Sequence, residues 1–437
     1  TPHQSSAASD VYKRQANQDN QTEPSDLNDP KWVAGCDATS SNQVECSDGN
    51  FDPDDGDGHG THVAGIALGS GDSDRDNIGY SPGSYLIDVK VLNDIGTTNS
   101  QATLRGINWV ANNVDTDWGN NESSRGIDVM SMSFGSISNP GGDDQGDDGQ
   151  NADARAVNAA VDAGVVAVAA IGNDGANRVT SVGAADKAIT VGSIDDDNSI
   201  ERDDDEIASY SNYGPRTDDG DGDSSDELKP DVVAPGSGIV SAQYAAPNPL
   251  PVGEQPRASD DYTSKDGTSM ACPAVAGLAA LILSYDNTLT PDDVKNIIKQ
   301  TAEQRGAPSS PSIDARWNNQ YGYGIIDGET AFSCLIGGEC TQIVGGAEWV
   351  HVQSPLEGEW LAQGKNYSFS GILNKSDPST SGVDAIEVSA ELTYRKEMPN
   401  GKIESFKTMV LNETNITLLE GRSVSYTHLR AHETCGH

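Results

Sequence analysis

Ser269 has the residue type and surroundings needed for acyl-transfer chemistry. It lies in the stretch DGTSMACP, residues 266–273, and precedes an apolar run that predicts a buried helix. A serine hydroxyl attacks a carbonyl only when a base removes its proton and donors stabilise the developing oxyanion. The N–H groups at a helix N-terminus are such donors. Ser269 is therefore a candidate nucleophile, although an isolated Gly-Thr-Ser is also typical of a simple helix cap.

Two further stretches supply the groups that Ser269 would need. His59 lies in DGHGTHVAG, residues 57–65, where glycines precede a helix of small residues, and it is the natural general base. Asn173 follows the buried strand predicted for Val165 to Ala170, so its amide lies where a strand ends. An amide at that place can donate a hydrogen bond to an oxyanion.

Together these stretches resemble the histidine, oxyanion-asparagine and serine blocks of the subtilisin-like serine peptidases, the subtilases. Their order and separations agree as well, and three motifs in the right order are far more specific than one. The resemblance implies a serine endopeptidase in which His59 is the base, Asn173 the oxyanion donor and Ser269 the nucleophile. It covers roughly Pro24 to Phe332 and includes the block KPDVVAPG at residues 229–236.

The resemblance also implies a substrate-binding segment. Ser133, Phe134 and Gly135 would pair their backbone with an extended substrate and line the pocket for the side chain before the scissile bond. Main-chain pairing gives affinity without demanding one sequence. Proteins or peptides are therefore the expected substrates.

A catalytic aspartate is implied at the end of a buried strand, shortly before a segment that Glu23 to Asn28 resembles. No apolar strand precedes that segment, so the aspartate is expected upstream of Ala16. Asp19 is the nearest substitute, but it lies in a polar run with no strand to hold it. In a subtilisin, loss of the aspartate alone costs about 3 × 10⁴ in turnover, so the chain as printed should be a poor enzyme. The alternative is a catalytically inactive, subtilase-like binding protein.

Both chain ends are expected to be foreign to the protein. Residues 1–15 lack a strand or helix period and resemble translated sequencing adapter, and residues 423–437 resemble the adapter peptide at the ends of assembled metagenomic reading frames. Both are set aside from the fold, as fusion scars would be. The chain is thus expected to be a truncated fragment from which any signal peptide and propeptide are missing.

Composition excludes several classes of partner. The 437 residues contain 27 Lys and Arg against 68 Asp and Glu, a formal net charge of −41. Such a chain repels nucleic acid and anionic membrane surfaces, because binding to either needs basic patches. No apolar run approaches the roughly 18 residues of a membrane span. The resemblance to the subtilases, rather than the composition, implies an extracellular or cell-surface location.

Strand-like and helix-like segments alternate through the middle of the chain. Strands are predicted at Tyr85 to Leu92, Ile127 to Phe134, Val165 to Ala170 and Lys187 to Gly192, and helices at Gln101 to Val114, Ala152 to Ala163 and Thr290 to Ile298. This alternation predicts an α/β fold with a parallel sheet flanked by helices. The catalytic domain is assigned to residues 16–333, and the alternating segments of residues 341–422 predict a small accessory domain like a β-sandwich.

Between Ala16 and Asp57 the sequence is polar and predicts loops. Cys36 and Cys46 fit a disulfide better than a metal site, because zinc ligands are usually more closely spaced. A second disulfide is predicted between Cys334 and Cys340. Cys272, beside the nucleophile, is expected to be a packing residue.

Two acidic segments could hold calcium or could simply be hydrated. The first comprises Asp52, Asp54, Asp55 and Asp57, which crowd the approach to His59 and could favour its charged form. The second, Asp218 to Glu227, alternates acids with glycine and serine but lacks the full spacing of a calcium loop. The proposed chemistry needs no cofactor and no catalytic metal, so any calcium would be structural.

Overall fold

The chain divides into two units, residues 1–344 and 345–437. In the first unit the computed structural model describes residues 3–5, 31–39, 46, 49, 53, 55–71, 77–98, 100–118, 125–137, 146–243 and 262–337; in the second it describes the backbone of five strands.

The first unit is built on a sheet of eight strands. These are β1 (His3–Ser5), β2 (Trp32–Asp37), β3 (Tyr85–Lys90), β4 (Val129–Met132), β5 (Val166–Ala170), β6 (Ile189–Asp195), β7 (Glu206–Ile207) and β8 (Val232–Pro235). Their spatial order is β2-β3-β1-β4-β5-β6-β7, and β8 also pairs with β6. All pairings are parallel except that of β7 with β6. A separate antiparallel pair joins β9 (Ile239–Ala242) to β10 (Tyr262–Lys265).

Helices cover both faces of this sheet. They are α1 (His59–Leu68), α2 (Ser100–Asn112), α3 (Ala152–Asp162), α4 (Thr268–Tyr285), α5 (Pro291–Thr301) and α6 (Gly328–Gly337), with a short 3₁₀ helix at Arg202–Asp204. The predicted parallel sheet with flanking helices is confirmed. Helix α5 also begins as predicted, because the Thr290 hydroxyl accepts from the Asp293 N–H and completes a capping box.

Side chains alternate between the two faces of the sheet along each strand, so each strand contributes to the core on both sides. In β4 and β5, Val129 and Val168 join the core cluster that contains Val275 of α4. Their neighbours Met130 and Ala167 point the other way and pack with α2 and α3. Strands buried on both faces are therefore almost continuously apolar, which is the signal that the sequence carries.

The prediction of loops between Ala16 and Asp57 is wrong in part. Residues Trp32–Asp37 form β2, which pairs in parallel with β3. The local sequence is apolar enough to be buried: Ala34 and Cys36 are both fully inaccessible to solvent. Cys36 is bonded to Cys46, so the predicted disulfide is confirmed.

The first residues also differ from expectation. They were set aside for lack of a strand period, yet the backbone of His3–Ser5 forms β1 between β3 and β4. Gln4 lies opposite Leu86 on one side and Val129 on the other. Main-chain hydrogen bonding does not depend on side-chain pattern, so a segment without periodicity can occupy this place.

Helix α4 corrects the statement on membrane-length segments. It is the one helix among the described residues that is long and apolar enough to cross a membrane. In the fold, however, 78% of it is buried, and it packs against β4, β5 and β6. A core helix of a protein with a large sheet passes the same test, so it gives only weak support for a membrane span.

In the second unit, all of the described strand pairs are antiparallel. One sheet joins β11 (Val350–Ser354), β12 (Asn366–Leu373) and β15 (Val424–Arg430), and a second pairs β13 (Ala385–Glu397) with β14 (Ile403–Thr417). Strand β15 lies in the segment that was set aside as adapter-like. These strands agree with a β-rich accessory region, while its sandwich arrangement stays a prediction.

Candidate active site

His59 is the first residue of α1, and an aspartate fixes where that helix begins. Asp55 is 8% exposed. Its Oδ1 accepts from the Gly58 N–H at 2.8 Å, and its Oδ2 accepts from the N–H and hydroxyl of Thr61 at 2.7 and 2.6 Å. These bonds satisfy N–H groups that a helix leaves free in its first turn. Asp55 is therefore a cap rather than part of a hydrated loop; Asp52 and Asp54 lie outside the described residues.

Burial and a neighbouring carboxylate together set the charge state of the His59 imidazole. Burial lowers the pKa of the His59 imidazole below its usual value, and the carboxylate of Asp57 opposes that shift. Asp57 is exposed and also accepts from the His59 backbone N–H at 3.2 Å. The ring is consequently neutral near pH 7, the form in which histidine can accept a proton.

Ser269 lies in the first turn of α4, one residue after the helix begins. Pro273 lies four residues further on and has no N–H, so it cannot donate to the Ser269 carbonyl within the helix. The Ser133 hydroxyl donates to that carbonyl instead, at 2.8 Å. In return the Ser269 hydroxyl donates to the Ser133 carbonyl at 3.3 Å. These two hydrogen bonds join the segment that carries Ser269 to the end of β4. In the sequence, only Pro273 indicated that the Ser269 carbonyl needs a partner outside the helix.

Asn173 is carried by a tight loop after β5. Gly172 has φ +119°, and a Cβ there would lie 2.4 Å from the Asn212 amide nitrogen. The Asn212 side-chain oxygen accepts from the N–H groups of Asp174 at 2.8 Å and Ala176 at 3.2 Å. Only glycine suits position 172, and Asn212 fixes the loop that presents Asn173.

The amide of Asn173 is held against the nucleophile segment. Its Oδ1 accepts from the Thr268 N–H at 2.8 Å and from the Thr268 hydroxyl at 2.9 Å. Because both bonds use the oxygen, Nδ2 is left to donate elsewhere. Nδ2 lies 3.5 Å from the point that a Cβ on Gly267 would occupy. A donor is thus placed on the Gly267 side of Ser269.

The predicted base and the predicted substrate segment share one cavity. Its lining includes His59, Ser133 and Phe134. Gly135 follows them, and a Cβ at that position would lie 2.6 Å from the Thr180 Cβ, so the backbone there is in close contact with its neighbour. Ser269 is not a lining residue of this cavity, but its two bonds with Ser133 place it directly beside the lining.

Within the described residues no hydrogen bond joins His59 to Ser269, and no carboxylate bonds to the His59 ring. Catalytic hydrogen bonds are often long before substrate binds. The lack of a bond between His59 and Ser269 is therefore compatible with both residues acting in the site. The positions expected for the triad aspartate, upstream of Ala16 or at Asp19, lie outside the described residues.

Cys272 is inert, as predicted from its place beside Ser269. It is a free, buried cysteine whose Sγ lies 3.7 Å from the Ser131 hydroxyl. Burial raises the pKa of the Cys272 thiol to about 11, so it stays protonated near neutral pH. The thiol therefore does not compete with Ser269 as a nucleophile. Cys334 is disulfide-bonded, while its predicted partner Cys340 lies outside the described residues.

Known proteins resemble this chain over about two thirds of its length. A model of the subtilase family matches residues 23–324. Serine protease AprX of Bacillus subtilis (strain 168) is 36% identical over 287 residues, which are 64% of this chain and 59% of AprX. Subtilisin DY of Bacillus licheniformis is 34% identical, over 63% of this chain and 78% of that protein. The chain thus spans 59% of the length of AprX, less than the whole of that relative.

Solved structures give the same fold. The structure described as Sphericase aligns with a TM-score of 0.52 and 24% identity, over 74% of this chain and 90% of that chain. At this identity the likeness concerns the fold alone. Because the family model spans well over half of the sequence, the chain belongs to the subtilase family of subtilisin-like serine peptidases.

Proposed function

We propose that this chain hydrolyses peptide bonds of protein substrates through an acyl-enzyme formed on Ser269. The His59 imidazole takes the proton of the Ser269 hydroxyl as the oxygen attacks the carbonyl carbon, and then gives that proton to the leaving amine. Asn173 Nδ2 and the Ser269 N–H stabilise the oxyanion. Water, activated by the same imidazole, then releases the acyl group and restores the serine.

The observation that carries this proposal is the pair of hydrogen bonds between Asn173 and Thr268. They fix an amide whose Nδ2 lies beside Gly267, two residues before the nucleophile. A preorganised donor beside a helix N-terminus stabilises a developing negative charge without reorganising during the reaction. A serine that merely capped α4 would have no need of this arrangement.

Substrate is proposed to bind as an extended strand along Ser133 to Gly135. The support is that Ser133 and Phe134 line the cavity beside His59, and that the segment after β4 is not part of a sheet in the described structure. Apart from the Ser133 carbonyl, which accepts from the Ser269 hydroxyl, its main chain can therefore pair with a peptide. Aligned main chains would bring the scissile carbonyl between Ser269 and Asn173.

Removing the free donor of Asn173 tests this assignment. Replacement by Asp keeps an oxygen that can accept from Thr268, but it replaces Nδ2 with a second oxygen. We expect kcat to fall about 10² to 10³-fold with a small change in KM, the size of effect that loss of one oxyanion donor has in a subtilisin. Steady-state kinetics on a quenched fluorescent casein would measure it.

The control for Asn173→Asp is Asn287→Asp, at an exposed position in the turn after α4. It should leave kcat within about twofold of the parent, because Asn287 is exposed and lies after the end of the helix that Ser269 begins. An Asn173→Asp enzyme with parental kcat would remove Asn173 from the oxyanion site.

The acid limb of the pH profile tests the role of Asp57. Its carboxylate raises the pKa of His59 against the stronger effect of burial, so Asp57→Asn should lower that pKa further. The half-maximal point of kcat/KM on the acid side should then move to lower pH, since the base must be neutral. Asp115→Asn, at an exposed position remote from His59, should leave the profile unchanged; a shift to higher pH in Asp57→Asn would contradict the assignment.

We also propose that the protein acts outside the cell. The bond between Cys36 and Cys46 supports this, because disulfides form and persist in oxidising compartments. Fractionation of an expressing host after fusion to a secretion signal, with thiol labelling of both cysteines, would test it. Labelling of Cys36 in the secreted fraction would contradict the proposal.

A further inference from the structure

Helix α1 carries a second histidine, His62, which the proposed chemistry does not use. The residue is fully buried. Its Nε2 lies 3.1 Å from the Ile239 carbonyl oxygen and 3.0 Å from the Thr263 carbonyl oxygen. Because both of these oxygens are acceptors, Nε2 must carry the ring proton and donate it to them. The neighbours of His62 therefore hold its imidazole in one tautomer.

The two carbonyls belong to neighbouring strands. Ile239 begins β9, Thr263 lies in β10, and the two strands pair in antiparallel fashion. One N–H of His62 thus binds both strands to α1. A second bond supports this contact, because the Ser241 hydroxyl of β9 donates to the His62 carbonyl at 2.8 Å. A Cβ on Gly65 would lie 2.3 Å from Ser241 Oγ, so the helix and the strand approach closely here.

Strand β10 leads directly to the nucleophile, since it ends four residues before Ser269. The segment between them is also bonded to the β9 side, where the Gly238 N–H donates to Asp266 Oδ1 at 2.7 Å. Helix α1, in turn, begins with His59. His62 therefore joins the helix that carries the base to the strand that leads to the nucleophile, although no hydrogen bond joins His59 to Ser269 among the described residues.

The other ring nitrogen of His62 has no hydrogen-bond partner. Among the described residues, Nδ1 is buried and unbonded. A proton on Nδ1 would place a charge and a donor where nothing accepts them, which is costly in a buried site. Burial lowers the pKa of His62 to about 4, and its bonds to the two carbonyls oppose that shift. The buried ring is consequently neutral near pH 7.

The ionisable groups around His62 do not offset the cost of a charge. Lys265 of β10 and His59 of the same helix both lower the pKa of His62 further. Strand β9 has no ionisable side chain, and the remaining ones of β10 and α4 are two phenols and the Cys272 thiol. None of these groups is a carboxylate, so none stabilises an imidazolium.

We propose that His62 is a positioning residue whose neutral imidazole ties the helix of His59 to the strand that leads to Ser269, and that proton uptake by the ring in acid releases this tie. A histidine that only filled space in the core would not need to donate to two strands at once. The effect on catalysis rests on the proposed peptidase function, whereas the tie between α1 and the β9–β10 pair does not.

Unfolding measured against pH tests the tie, with Ser269→Ala as the parent to prevent self-digestion. The unfolded chain binds a proton at His62 below about pH 6.5, but the folded chain binds it only below about pH 4. Stability is therefore lost as pH falls through this window. His62→Gln keeps an N–H donor but does not titrate. Relative to this variant, the unfolding constant of the parent should rise about 5- to 10-fold between pH 6 and pH 5.

Denaturant unfolding followed by tryptophan fluorescence would measure this difference. A ratio of unfolding constants that does not change with pH would overturn the proposal. This readout separates the tie from simple packing, because loss of packing lowers stability equally at every pH.

Labelling of Ser269 by a fluorophosphonate tests the positioning role. His62→Leu removes the donor, so the labelling rate at neutral pH should fall about 10-fold or more, because small displacements of reacting groups are costly. His62→Gln should restore most of that rate. Ile66→Ala removes apolar contacts of the same helix, so it should lower Tm without slowing the labelling.

A parental rate in folded His62→Leu, or an equal loss of rate in Ile66→Ala, would overturn the positioning role. If His62→Leu does not fold, the comparison of the parent with His62→Gln decides. An unlabelled Ser269 in the unsubstituted chain would count against the proposed function instead, and the pH dependence of unfolding would then decide on the tie by itself.

Discussion

Ser269→Ala should remove peptidase activity, the largest catalytic effect expected of any single substitution in this chain. Alanine keeps the helix start and the Ser269 main chain, including the carbonyl that accepts from Ser133. It deletes only the attacking oxygen. No other described nucleophile replaces it, since the Cys272 thiol is buried and protonated. Hydrolysis of a quenched fluorescent casein would measure the loss.

The size of the loss also reports on the catalytic acid. In a subtilisin, removal of the serine costs about 2 × 10⁶ in kcat and removal of the aspartate alone about 3 × 10⁴. A chain whose triad acid works should therefore lose about 10⁶-fold in Ser269→Ala. A chain without that acid starts lower and should lose only about 70-fold, the ratio of the two figures.

Ser284→Ala is the control for Ser269→Ala. Ser284 is an exposed serine of the same helix, and its hydroxyl donates to the Leu281 carbonyl at 2.7 Å. The substitution tests for general effects on α4 without touching the site, and activity should remain within about twofold. Parental activity in Ser269→Ala would contradict the proposed mechanism.

Asp231→Asn should be the most destabilising single change. Asp231 precedes β8, and its Oδ2 accepts from Lys229 Nζ at 3.0 Å and from the Thr190 N–H of β6 at 2.8 Å. Lys295 Nζ of α5 lies 3.2 Å from its Oδ1. One buried carboxylate thus joins two strands and a helix. Its removal would leave the ammonium group of Lys229, only 1% exposed in its side chain, without a counter-charge.

Breaking a buried ion pair on one side typically costs about 3 to 5 kcal/mol, because the remaining charge stays buried. For a domain of this size we expect Tm to fall by about 5 to 7 °C. Calorimetry on the Ser269→Ala parent would measure the change, with Asp203→Asn as a control at an exposed acid. A fall of less than about 2 °C in Asp231→Asn would contradict the importance of this network.

The pH dependence of that loss has a definite sign. Although burial disfavours a charge, Lys229 and Lys295 hold the pKa of Asp231 well below its usual range. A carboxylate with a lowered folded pKa stabilises the protein above its unfolded pKa of about 3.9 and loses that contribution as pH falls below it. The difference between parent and Asp231→Asn should be largest near pH 5 and narrow below about pH 4. It should also narrow as pH rises through about 7, because burial lowers the pKa of Lys229 to about 7 and the neutral amine no longer needs a counter-charge.

The sequence predicted best the features that depend on local pattern. The runs at β4 and β5 are apolar on both faces, so both strands were identified, and parallel strands gather their following loops at one edge. That reasoning placed Asn173 and Ser133 at strand ends. Helix α5 was identified from the proline and threonine at its start.

Features that depend on contacts between distant segments could not be predicted in the same way. The bonds of Ser133 with Ser269, and those of Asn173 with Thr268, join residues whose neighbours in sequence say nothing of each other. Strand β2 was missed because it is one short apolar run inside a polar stretch, and its burial depends on pairing with β3 and on the disulfide. Strand β1 has no side-chain pattern at all and is defined by main-chain pairing.

The most direct test of the central claim is covalent labelling of the intact chain with a fluorophosphonate, followed by mass spectrometry of its peptides. Such a reagent phosphonylates a serine only when a base activates the hydroxyl and an oxyanion site stabilises the addition. The account predicts one labelled serine, Ser269, with labelling slowed strongly in His59→Ala and unchanged in Ser284→Ala. An unlabelled Ser269, or labelling that is independent of His59, would contradict it.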